Sequence, residues 1–168
     1  MEKKNRLFYS LIIALVIIIV TLFLTLSVYF NAFHLRDYFK QSDYHHWFTW
    51  IGTIYIAIIT PVYYLLKRRY TKYYDLLSTH HIFGNLLAVM LITLHFSHQI
   101  SRPPQAFPDL GTGFALYVTA ITLVITGFLL KFSQLKIIGR KNIRFIHTGV
   151  TLTFYIIIFI HIFHGLAK

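Results

Sequence analysis

Five long apolar runs decide what this 168-residue chain can fold into. They lie at about 7–30, 47–66, 80–100, 113–132 and 143–166, and no Asp or Glu falls inside any of them. Each is near or beyond the roughly 18–20 residues that an α-helix needs to cross the hydrocarbon core of a bilayer. In lipid every backbone donor and acceptor must be satisfied within its own segment, so the runs are expected to be helices. Pro61, near one end of the second run, is expected to kink that helix rather than end it. Only 12% of the residues are charged, against about a quarter in soluble domains. A soluble globular enzyme and a disordered tail are therefore excluded. The expected fold class is all-α: a single polytopic membrane domain of five transmembrane helices.

Loop charge sets the expected orientation. Twelve of the sixteen Lys and Arg residues lie at the N-terminus (Lys3, Lys4, Arg6) and in the second and fourth loops. Arg36, Lys40, Arg102 and Lys168 are the remainder. The N-terminus is thus expected in the cytoplasm and the C-terminus outside. This asymmetry accounts for most of the formal charge of +11 without nucleic acid as a partner. The first run is too long for the apolar core of a signal peptide, and no small-residue cleavage site follows it, so it reads as a retained anchor. Trp47 and Trp50 at one end of the second run, with Tyr63 and Tyr64 at the other, fit aromatic belts at the two interfaces. No Gly-rich nucleotide loop between a strand and a helix occurs.

Ten histidines in so apolar a chain are unusual, and their spacing repeats. The third run holds His81, His95 and His98; the fifth holds His147, His161 and His164, at the same intervals. Fourteen positions turn a helix through about 1400°, within roughly 40° of whole turns, and rise about 21 Å. Each run therefore puts two imidazoles on one face, one toward each membrane surface. One run intervenes, so the two helices run parallel, pairing His81 with His147 and His95 with His161 in depth. Two such pairs are what two six-coordinate haem b groups need, one imidazole from each helix on each iron. An intramembrane histidine is costly and is by default a functional residue. Zinc or copper transport would recruit carboxylates or thiols, and the chain has no cysteine. Lack of thiols also excludes covalently attached haem and cysteine-ligated iron–sulfur clusters. His80 is adjacent to His81, but only His81 reproduces the fourteen-position interval.

Supporting residues are fewer. Gly84 and Gly149 near the inner ligands, and Gly52 and Gly127 on the flanking runs, could admit a porphyrin face, although small residues also serve ordinary helix packing. Arg144, with Arg140 or Lys141, could meet the inner haem's propionates, and Arg102 the outer one's. His98 and His164, three positions beyond the outer ligands, have competing roles: propionate contact, a quinol site, an external metal site with His45 or His46, or a wetted surface. The first run carries no histidine, glycine or charge between Leu7 and Phe30. It is expected to lie peripheral to a four-helix haem bundle, against lipid or a partner subunit.

With its four spaced histidines on the third and fifth spans, the chain resembles the ferric reductase-like transmembrane domain, the haem core of NADPH oxidases and iron reductases. It is also similar to other four-helix diheme cytochromes b. The resemblance implies two bis-histidine haems ligated by His81, His95, His147 and His161, and electron transfer across a prokaryotic cytoplasmic membrane. Family oxidases continue through a sixth span into a flavin domain; this sequence ends after its fifth, so a partner protein or a quinone is the expected redox partner. Two alternatives stay open: a quinone-linked cytochrome b anchor subunit of a larger oxidoreductase complex, and a haem-free metal-binding or structural membrane subunit.

Overall fold

The computed structural model describes residues 2–41, 44–106, 110–132 and 139–166. Every regular element among them is helical. Five helices are long and apolar enough to cross a membrane: α1 (Glu2–Tyr29), α3 (Tyr44–Arg69), α4 (Tyr74–Ile100), α5 (Gly111–Phe132) and α6 (Arg140–Leu166). The short α2 (Leu35–Gln41) lies between the first two of these. As expected of a multi-pass membrane protein, each long helix contains its apolar run, except that α1 stops one residue short, at Tyr29. The helices α1, α3 and α4 begin several residues earlier than the apolar runs suggest, because helical hydrogen bonding continues into the polar flanks. In α4 the added first turn carries Asp75, where a carboxylate complements the helix dipole. Pro61 lies inside α3 and does not end it.

The chain forms two compact units, Met1–Pro108 and Asp109–Lys168. In the first, α4 packs against both α3 and α1. Small residues permit this close approach. A Cβ on Gly52 would stand 2.7 Å from the carbonyl oxygen of Ala88, and one on Gly84 would collide with the Tyr55 hydroxyl. That hydroxyl donates to the carbonyl of His80 at 3.1 Å. Gly52 and Gly84 therefore serve α3–α4 contact, not space for a flat cofactor. On the other side, Ser97 donates to the carbonyl of Thr25 on α1 at 2.8 Å. Val28 and Leu94 pack there with Leu24, Leu35 and Phe48. Most other large side chains of α1 are exposed, the pattern of a helix that meets lipid over most of its circumference.

The chain leaves α1 through a strained turn. Asn31, Phe33 and His34 all have left-handed backbone angles, with φ of 55°, 57° and 56°. Such conformations cost roughly 1–2 kcal/mol for residues other than glycine, and side-chain contacts hold this one in place. The Asn31 amide donates to the Asp37 carboxylate at 2.8 Å, and its oxygen accepts from the backbone N–H groups of Arg36 and Asp37. That caps the start of α2. The Asn31 bond is also the main reason the exposed Asp37 carboxyl titrates below its ordinary range. Arg36 donates to the carbonyl of Ser101 at the end of α4, 3.3 Å away.

The second unit is the α5–α6 hairpin. Arg140 opens α6 and donates to the carbonyl of Leu130 at 2.8 Å, satisfying one of the last carbonyls of α5, which have no partner within their own helix. Several threonines in each unit return their hydroxyls to carbonyls three or four residues back, as Thr25 does to Thr21 and Thr122 to Val118. A hydroxyl in an apolar helix is satisfied in that way.

Candidate functional site

In the second unit two of the three fifth-span histidines, His147 and His161, are held by α5. His147 Nδ1 lies 2.8 Å from Thr126 Oγ1. One residue further along α5, a Cβ built on Gly127 would stand 3.4 Å from His147 Cε1. Fourteen positions away the arrangement recurs: His161 Nδ1 lies 2.9 Å from Thr112 Oγ1, and a Cβ on Gly113 would stand 3.4 Å from His161 Cε1. Thr–Gly doublets on α5 and histidines on α6 thus share one spacing, and antiparallel packing brings them together twice. Gly127 thus borders the His147 ring. Gly149 has nothing within 4 Å of a built Cβ.

The first unit supports its histidines differently. The His81 ring stacks on Tyr63 of α3, with centroids 4.3 Å apart and planes at 12°. The Tyr63 ring is shared with Lys67, whose ammonium lies 4.9 Å from the centroid. Tyr64 keeps the interfacial role, 47% exposed with Arg68 over its ring. Asn85, one turn beyond His81 on α4, brings its Nδ2 to 3.1 Å from His81 Nδ1. The Asn85 Oδ1 is buried without a hydrogen-bond partner. Rotating the amide by 180° exchanges the two atoms, so that Oδ1 accepts Nδ1–H from His81. His80 is exposed, and of the two neighbours His81 is the one built into contacts. The His95 ring lies 5.6 Å from that of His46 on α3, tilted by 54°.

The remaining site residues divide. His98 is buried, 3% exposed, whereas His164 is exposed; the shared three-residue offset does not give them one environment. Arg102 is half-buried just past the end of α4, its backbone N–H bonded to Gln99. Arg144 is exposed one turn before His147. Arg140, the other inner cation, is engaged by Leu130. The side chain of His45 lies outside the described residues. Among the described residues no group of three or more His, Cys, Asp or Glu is gathered as a metal site.

Sequence reasoning missed Thr112, Thr126, Asn85 and Tyr63 as partners of the histidines. The signal for the threonines was present: Thr–Gly occurs at 112–113 and at 126–127, the same fourteen-residue interval as the histidines. No protein-family model, curated protein or solved structure matches the chain.

Proposed function

We propose that the protein is a diheme b-type cytochrome that passes single electrons across a membrane. In this reading His81 and His147 bind one iron, and His95 and His161 bind the other. The single observation that carries it is the presentation of the α6 histidines. Two imidazoles at a ligand-like interval each have Nδ1 engaged by a hydroxyl and a glycine beside the ring. A metal-binding histidine almost always directs its second nitrogen to such a partner, which fixes the ring and its tautomer. The orphaned Oδ1 of Asn85 fits the same role for His81.

Haem b supplies a one-electron Fe(III)/Fe(II) couple; the protein supplies ligands, orientation and tuning. Were the four histidines to hold two haems in this way, they would fill the iron coordination positions, and exchange with partners would run through the haem edges. Arg144 and Arg102 are the cations for the propionates at the two ends. Orientation follows the basic loops, with the N-terminus in the cytoplasm of a prokaryotic cell. The resemblance to the ferric reductase-like domain supports the same reading, with a partner protein as donor or acceptor.

An absorption spectrum tests the proposal. Protein purified after expression with haem supplied is expected to show a reducible b-type spectrum at two haems per chain. A colourless preparation overturns it.

A further inference from the structure

Thr126 has one hydroxyl proton and three neighbours that compete for it: the carbonyls of Thr122 at 2.7 Å and Leu123 at 3.2 Å, and His147 Nδ1 at 2.8 Å. A hydroxyl bonded in this way donates once and accepts through its lone pairs. With its proton given to the helix carbonyls behind it, Thr126 can only accept from His147, which then carries its proton on Nδ1. The neutral imidazole has one donor and one acceptor nitrogen, so this leaves the lone pair on Nε2. Thr112 presents the same separation to His161; it stands in the first turn of α5, so its acceptor role is carried over from Thr126 by the repeat and not by helix carbonyls behind it. Both glycines bring the helix backbone up to the ring edge; a side chain there would meet Cε1.

We infer that Thr126–Gly127 and Thr112–Gly113 are two copies of one ligand seat, in which the threonine fixes the tautomer of an α6 histidine and the glycine lets the α5 backbone lie beside its ring. Helix α5 carries no ligand itself; it is the positioning helix for both. The role as an axial-ligand seat rests on the diheme reading, whereas the tautomer itself does not. An acceptor on Nδ1–H makes the imidazole a stronger donor to a metal. That favours the oxidised iron, so loss of the acceptor raises the midpoint potential.

Two measurements on the full-length protein in micelles test the inference. In the first, Thr126→Val keeps both haems but shifts one midpoint potential upward, Thr112→Val shifts the other, and Thr126→Ser restores the wild-type value. Unchanged potentials in both valine variants at full haem content overturn the inference, as does a serine variant that behaves like valine. In the second, 15N NMR of histidine-labelled protein reads the tautomer directly, with or without haem. His147 and His161 are expected as Nδ1–H tautomers in the wild type, and the valine variants lose that preference. A wild type with protonated Nε2 at both residues overturns the seat. A wild type that binds no haem removes the diheme reading, and the tautomer measurement then decides the seat alone.

Discussion

The helices α4 and α6 carry histidines at identical intervals, yet the two units hold them by different chemistry. On α6 both rings meet a hydroxyl and a glycine of α5, and the arrangement repeats along the hairpin. On α4, His81 lies on the face of Tyr63 and against Asn85 of its own helix, and His95 beside the ring of His46. The common element is one of connectivity. In each unit the preceding long helix supplies contacts to the histidines of the next, α3 for α4 and α5 for α6. A repeated ligand spacing therefore does not demand a repeated environment. It demands only that a neighbouring helix offer something at that depth.

The strongest way to break the comparison is to cut the proposed ligands in pairs. His81→Ala with His147→Ala removes both ligands of one iron, and the double variant is expected to keep one haem. His81→Ala with His161→Ala leaves each iron a single ligand, and both haems are expected to be lost. Haem per chain from a pyridine haemochrome assay separates the two; equal haem content would mean that the histidines pair otherwise.

Glycine substitutions sharpen the contrast between the supporting helices. Gly52→Ala sets a Cβ 2.7 Å from a backbone oxygen, which cannot move without shifting α4, so a loss of about 1–3 kcal/mol is expected. Gly113→Ala meets only a ring carbon at 3.4 Å and should cost well under that. Denaturant unfolding in micelles compares them, and a larger loss at Gly113 would reverse the assignment of packing to α3 and seating to α5.

Smaller still is Ser97→Ala, which removes the hydrogen bond to the carbonyl of Thr25. A loss of about 0.5–1.5 kcal/mol is expected, readable in the same unfolding assay. The least effect belongs to Asp37. Its carboxyl titrates lower in the folded protein than in the unfolded chain, chiefly through Asn31. Its contribution is therefore present above the ordinary carboxylate pKa and fades as pH falls through the depressed folded value. Asp37→Asn should flatten that acid-side dependence slightly, and an unchanged slope between the two variants would remove Asp37 as its source.

Much of this was legible in the sequence, for physical reasons that differ by residue. The five long helices follow from apolar length alone, because lipid leaves the backbone no alternative. The short α2 did not show itself; seven residues are too few to establish a helical period. Its start is fixed instead by Asn31, which reaches forward to Arg36 and Asp37. The four spaced histidines stood out because imidazole is rare in an apolar run. Thr112 and Thr126 did not, since threonine in such a helix ordinarily bonds its own backbone, and Thr126 does that as well. Gly84 and Gly127 look alike in sequence; only tertiary contact separates the one that receives Tyr55 from the one that borders His147.

The bond from Ser97 to Thr25 spans 72 positions, while that between Thr126 and His147 spans 21. At synthesis rates of about 5–20 residues per second, the first helix waits roughly 4–14 s for its partner residue to be made, and His147 follows Thr126 after only about 1–4 s. During the longer interval α1 has only lipid and its immediate neighbours for company, and its run from Leu7 onward is an apolar, uncharged surface that lipid tolerates without a partner. Order of emergence thus favours an α1 with no histidine on it, and places His147 beside its hydroxyl almost as soon as it exists.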